Sequence, residues 1–245
     1  GYGGGASGPE PGGGGIWSND STATITRTTL SENYASGDGG AVGSNAPVSR
    51  LTVSDSIISA NTAQRDGGGL YNSGYATVTR TTFDGNTAMT RHGGAICHQY
   101  GVLAVAGSRF QNNHAESNGG SLHVGNEGSG QATVVDSTFS GSSARDGGAV
   151  WAGGSLNITS STLHSNTATM YGGALYAGGT VSVTNVTMSG NSSVEGGAVF
   201  CNDSLTIASS TIVGNTSTGA SGGAVYRSGA PTLTVKNSIL AGSTA

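Results

Sequence analysis

Phe83-Asp84-Gly85-Asn86 and, seven residues further on, Gly93-Gly94-Ala95-Ile96 are the two phrases that decide how this chain folds. The second has nine copies. They run Gly13-Gly14-Gly15-Ile16, Gly39-Gly40-Ala41-Val42, Gly67-Gly68-Gly69-Leu70, Gly93-Gly94-Ala95-Ile96 and Gly119-Gly120-Ser121-Leu122. They continue as Gly147-Gly148-Ala149-Val150, Gly172-Gly173-Ala174-Leu175, Gly196-Gly197-Ala198-Val199 and Gly222-Gly223-Ala224-Val225, spaced 24 to 28 residues apart. The first phrase, apolar-x-x-Asn, keeps step through Asn33, Asn61, Asn86, Asn113, Asn166, Asn191 and Asn215; Phe139…Ser142 and Leu240…Ser243 hold the spacing without the amide. A third phrase, an alternating strand such as Leu51-x-Val53 or Leu103-x-Val105, ends five residues ahead of the apolar-x-x-Asn motif.

Three short β segments in fixed order, repeated at one period with no helical periodicity between them, specify an all-β solenoid. The expected fold is a right-handed parallel β-helix of about nine coils of ~26 residues, three short strands per coil, stacked ~4.8 Å apart. Residues 13–245 form the one domain, and residues 1–12 a Gly/Pro-rich N-terminal loop. Each residue then lies over its equivalent in the previous coil. The aliphatic columns face inward. The Asn column becomes a ladder of stacked amides at a tight turn, and Thr28, Ser56, Thr81, Ser108, Ser137, Ser161, Ser210 and Ser238 form a second ladder, broken by Val186.

Composition alone would point elsewhere. With 45 glycines and only 9% charged residues, a chain lacking a period stays disordered; the repeat is what makes a core. Nine basic residues, scattered singly in a chain of net charge -4, do not make a nucleic-acid footprint. No apolar run approaches the ~20 residues of a membrane-spanning helix. Cys97 and Cys201, about four coils or ~19 Å apart, are too distant to bridge and are expected to be free thiols.

The literal forms Gly93-Gly94-Ala95-Ile96, Phe83-Asp84-Gly85-Asn86 and Phe110-Gln111-Asn112-Asn113 resemble the repeats of the chlamydial polymorphic outer-membrane proteins and of the wider class of bacterial right-handed β-helix surface proteins. The resemblance covers residues 13–245. It implies the same solenoid, surface display and an adhesive role; the C-terminal membrane barrel of the chlamydial proteins has no counterpart in this sequence.

The residue after each aliphatic of the Gly-Gly motif forms a column: Trp17, Gly43, Tyr71, Cys97, His123, Trp151, Tyr176, Phe200, Tyr226. Alternation points it outward, as an aromatic strip able to bind sugar rings or a partner; if parity breaks near a corner, the rings are core instead. Cys97 and His123 fall on adjacent coils, the beginning of a nucleophile–base pair, but no third group orients them, and substitution within an aromatic column accounts for both. No catalytic residue is assigned. Arg27, Asp55 and Arg80, with Gly107 and Asp136 above them, read as a surface ion-pair ladder of small energetic value. Asp38, Asp66, Asp146 and Glu195 precede Gly-Gly pairs; calcium at this edge is a weak alternative to the expectation of no cofactor and no metal. Thr24/Thr26, Thr52/Ser54, Thr77/Thr79 and Ser182/Thr184 make a flat hydroxyl array that would suit ice binding, although Ala104/Ala106, Val135 and Ala208 break it.

At the ends, Gly1, Tyr2 and Gly3 continue in phase from Leu240, Ser243 and Ala245. This suggests subunits stacked head to tail, a heterologous contact that does not close; the alternative is a stable piece of a longer β-helix or a monomeric passenger. The expectation is therefore an extracellular or cell-surface structural and adhesive protein, not an enzyme. Its partners are other copies of itself, and surface glycans or a neighbouring cell surface. The alternatives are a polysaccharide-binding or polysaccharide-degrading β-helix and an ice-binding protein.

Overall fold

A computed structural model describes residues 12–126, 129–229 and 232–245. The expected N-terminal loop, and with it Gly1, Tyr2 and Gly3, lies outside the described residues but for residue 12. The rest is a parallel β-solenoid of nine coils. Sheet A runs from Ile16–Ser18 to Val225–Arg227, sheet B from Thr22–Thr26 to Leu233–Lys236 and sheet C from Thr29–Ser31 to Ile239–Ala241, each with nine strands in coil order. Register is strict: Val42 pairs with Leu70, Leu70 with Ile96 and Ile96 with Leu122, and all four are fully buried in one interior file.

Eight of the nine coils also carry a strand that alternation could not announce. Sheet D, from Tyr34–Ala35 to Thr216–Ser221, has eight strands, several only two residues long. Its inward column is small: Ala35, Ala63, Ala88, Ala115, Ala144 and Ala168, then Ser193 and Ser217, all buried. Two residues give too little alternation to register as a strand, and Thr-Ala reads as turn.

The corners explain the remaining columns. Every coil turns from sheet B to sheet C through a left-handed residue: Arg27, Asp55, Arg80, Gly107, Asp136, Ser160, Asn185, Ser209 or Asn237, all with φ between 45° and 57°. A second left-handed column, including Ala60 (φ 53°) and Gly85 (φ 63°), precedes the Asn ladder. Both corners have two residues in every coil, as between Thr79 and Thr82 or between Asp84 and Thr87. The third corner, at Gly-Gly, needs glycine for a further reason: a Cβ on Gly68 would run into the Gly94 carbonyl and the Thr87 backbone.

Polar groups inside the solenoid are matched by its own repeat. The Asn86 backbone N–H and Nδ2 both donate to Asn113 Oδ1, at 2.9 and 3.0 Å, and Nδ2 also donates to the Ile58 carbonyl at 2.8 Å. Asn33, Asn61, Asn166 and Asn191 repeat the paired donation to the next amide. Ser142 interrupts the ladder, and Ser121 answers it: their hydroxyls lie 2.7 Å apart, and Asn113 Nδ2 donates to Ser121 Oγ at 3.4 Å. In the second ladder Ser108 Oγ accepts the Thr81 N–H at 3.2 Å and donates to the Ala106 carbonyl at 3.0 Å. Val186 breaks this ladder on one side only, since its own N–H still donates to Ser210 Oγ at 3.1 Å. Phe83, Phe110 and Phe139 stack face to face beside the amides, with centroids 5.0 and 4.5 Å apart.

Candidate functional site

The aromatic column points away from the core, as alternation requires, yet it is not uniformly exposed. Trp17 is exposed; Trp151, Tyr176 and Tyr226 are half-buried; Tyr71, Cys97, His123 and Phe200 are buried. The cover comes from a column the sequence had kept separate. The residues before Gly-Gly stand five positions ahead of the strip, so the Gly-Gly corner folds one column against the other. His92 stacks on His123 at 4.6 Å, filling the slot that the small Cys97 leaves, and Tyr171 lies 4.6 Å from Phe200. The stack then runs His123–Trp151 (4.6 Å), Trp151–Tyr176 (5.7 Å), Tyr176–Phe200 (5.0 Å) and Phe200–Tyr226 (5.5 Å). Neighbouring rings occupy one another's faces, so much of what the strip offers outward is ring edge. The five-residue offset was the available signal for this joint groove.

Burial governs the electrostatics here. Asp38 is clamped by Arg65, whose Nε and terminal nitrogen donate at 3.1 and 2.7 Å, and it also accepts the Asp66 N–H at 3.2 Å. Asp66 accepts the His92 N–H at 3.0 Å; desolvation, and then the Asp38 charge, raise its pKa to about 6. Desolvation lowers His92 to about 4 and holds His123 well below its usual value. These carboxylates accept N–H donors. Among the described residues no group of three or more His, Cys, Asp or Glu side chains is placed to hold a metal ion.

Cys97 Sγ lies 3.7 Å from His123 Nδ1 and accepts from Gln99 Nε2 at 3.2 Å. Burial pushes the thiol well up and the imidazole well down. Both shifts oppose the thiolate–imidazolium pair that nucleophilic catalysis needs. Cys97 faces this groove, whereas Cys201 faces the core; both are free and buried.

On the other faces, Arg80 closes on Asp55 with two hydrogen bonds of 2.6 and 2.8 Å, and Arg27 adds a longer-range attraction. The pair is solvent-exposed and ties two left-handed corners together, with little energetic weight. The Thr pairs of sheet B stand in register, Thr24 beside Thr52 and Thr52 beside Thr77, before the column passes to Ala104. At the last coil Leu240 and Ala245 are exposed and Ser243 is half-buried.

Sequence reasoning missed one further feature. Between sheets A and B the connections are residues 153–154, 178–180 and 202–204 in coils 6, 7 and 8, but 125–130 and 228–232 in the coils on either side. The short turns leave a notch of about 460 Å³, lined by Gly153, Gly154, Ser155, Gly178, Gly179, Thr180 and Asp203. A smaller recess of about 140 Å³ adjoins it, lined by Trp151, Gly153, Tyr176, Gly178 and Asn202.

No curated protein and no solved structure matched the chain. The family described as right-handed beta helix region matches residues 10–163 and again 100–244. With register kept from coil to coil in sheets A, B and C and two overlapping matches that span nearly its whole length, the chain belongs to the right-handed β-helix family.

Proposed function

We propose that the protein is an extracellular structural and adhesive β-helix, a rod that presents long uncharged faces and assembles end to end. The observation that carries this reading is the continuity of its internal ladders. Amide, hydroxyl and aromatic columns run from coil to coil with few breaks, which makes a stiff body whose outer sheets are covered by Thr and Ser. Likeness of the Gly-Gly-Ala-Ile and Phe-x-x-Asn phrases to chlamydial polymorphic outer-membrane protein repeats supports the adhesive part.

The terminal strand edges support the assembly part. A strand edge of this solenoid accepts another coil in phase, as each coil accepts the next. The reading is that a second copy supplies it. Electron microscopy and sedimentation of the purified 245-residue chain are expected to show filaments that lengthen with concentration, and I239K/L240K is expected to shorten them while leaving the circular dichroism unchanged. A monodisperse monomer at every concentration would overturn end-to-end assembly. A polysaccharide-binding role is the second reading, favoured by the notch beside Trp151 and Tyr176.

A further inference from the structure

We infer that the notch across coils 6 to 8 is a binding site for a neutral sugar residue of a glycan, recognised without cleavage. The inference deepens the adhesive reading above by naming where contact is made and with what chemistry.

The notch exists because three successive coils have minimal turns. Its floor is backbone: Gly153-Gly154 and Gly178-Gly179 lie one over the other, and Cβ atoms on Gly154 or Gly179 would run into carbonyls of the neighbouring coil. Ser129 and Gly130 stand against Gly154 on one side. On the strand side, Trp151 and Tyr176 lean over the turns of their own coils, so closely that a Cβ on Gly153 would meet the indole and one on Gly178 would lie 2.9 Å from the phenol ring. Both rings are half-buried, and they line the recess that shares Gly153 and Gly178 with the notch.

Polar groups converge on the same space. Asp203 Oδ1 accepts the Ser204 N–H at 2.7 Å, which fixes the carboxylate and leaves its other oxygen for a ligand. Ser155, Thr180 and Asn202 are exposed at the rim. A fixed carboxylate accepts two hydroxyl protons at once, an amide both donates and accepts, and aromatic carbon packs against C–H groups. That set matches a pyranose, which carries hydroxyls around a hydrocarbon body. The volume falls within the roughly 300–1,000 Å³ of small-ligand sites.

Charge selects among sugars. Among the described residues lining the two recesses Asp203 is the charged one, and none is Lys or Arg. A uronate or sulfated sugar would bring a second anion beside Asp203, and none of the described residues lining the recesses is a cation to offset it. The site therefore prefers neutral hexose or N-acetylhexosamine units. One such site binds weakly, and repetition along an assembled rod would multiply it.

The test is binding of the purified chain to neutral hexose and N-acetylhexosamine oligosaccharides beside uronic-acid oligomers, on an array and by calorimetry. Binding of neutral oligomers is expected. It should fall about tenfold in D203N, the loss of roughly one charge-assisted hydrogen bond, and vanish in T180W, which plugs the notch from an exposed position. T52W, on the face of sheet B at the other end of the rod, should bind as the unmodified chain does. The inference is overturned if no oligomer binds, if uronic-acid oligomers bind better, or if D203N and T180W bind undiminished. Filaments that persist in variants with unchanged glycan binding would defeat the notch alone; glycan binding by a strictly monomeric chain would defeat the assembly alone.

Discussion

Ala60 holds a left-handed backbone at φ 53° in a column where Gly85, Gly141, Gly190, Gly214 and Gly242 do the same. An L-residue there costs roughly 1–2 kcal/mol, part of which glycine returns as lost chain entropy. A60G is expected to raise the urea midpoint, a gain of about 0.5–1 kcal/mol. G85A, where nothing lies within 4 Å of a new Cβ, is expected to lose a similar amount through strain alone. Both corners show what the sequence could not tell. Arg27, Asp55 and Arg80 were legible as a column of alternating charge, whereas the physical demand at those positions is a backbone conformation that leaves no mark on side-chain pattern. The Asn ladder was legible because its side chain does the work directly: an amide repeated at coil spacing can only stack on itself.

At the scale of the element, the ladder makes a sharper prediction. Asn86 serves two donors of Asn61 and satisfies the Ile58 carbonyl, all in the buried interior. N86A would leave those groups unmatched and is expected to cost about 3–5 kcal/mol, since each buried orphan costs roughly 1–3 kcal/mol. The Ser121–Ser142 pair is the natural counterexample, in which a missing amide is answered by a hydroxyl from the Gly-Gly strand. S142N is expected to be tolerated poorly alone and well with S121A, and a double-mutant cycle in urea should return a coupling of about 1 kcal/mol or more. Additive effects would mean that the two serines ignore each other. Sheet D escaped the sequence for an elemental reason, because its strands in the first four coils are two residues long, no more than a single period of alternation. The notch escaped because it is made by residues that are missing from turns, and only the assembled coils show the gap.

Across the whole molecule, buried titrating groups pull in opposite directions. His92 and His98 titrate at about 4, and His123 is also held well below 6.5, so the unfolded chain takes up these protons first. Their contribution to stability is complete above pH 6.5 and is lost as the pH falls through about 4. Asp66, raised to about 6, contributes stability that is complete below 3.8 and lost as pH rises through about 6; Asp146 shifts the same way. Three histidines oppose two aspartates, so the thermal midpoint is expected to fall between pH 6.5 and 4, and D66N should make that fall steeper. A flat or inverted profile would show that the histidines are hydrated in solution.

The constancy of two corners has a further consequence. From the start of sheet B to the start of sheet D, every coil keeps the same two-residue bends, while both connections that flank sheet A vary in length. One half of each coil is thus a fixed gauge that sets register, and the other half is a margin open to revision. A foreign loop spliced between Ala152 and Ser155 would leave the pairing intact. One residue added between Thr79 and Thr82 would invert every side chain after it, core to solvent, through the rest of that coil. New binding specificities can therefore be written into this scaffold along the two margins of sheet A, coil by coil, without renegotiating the fold.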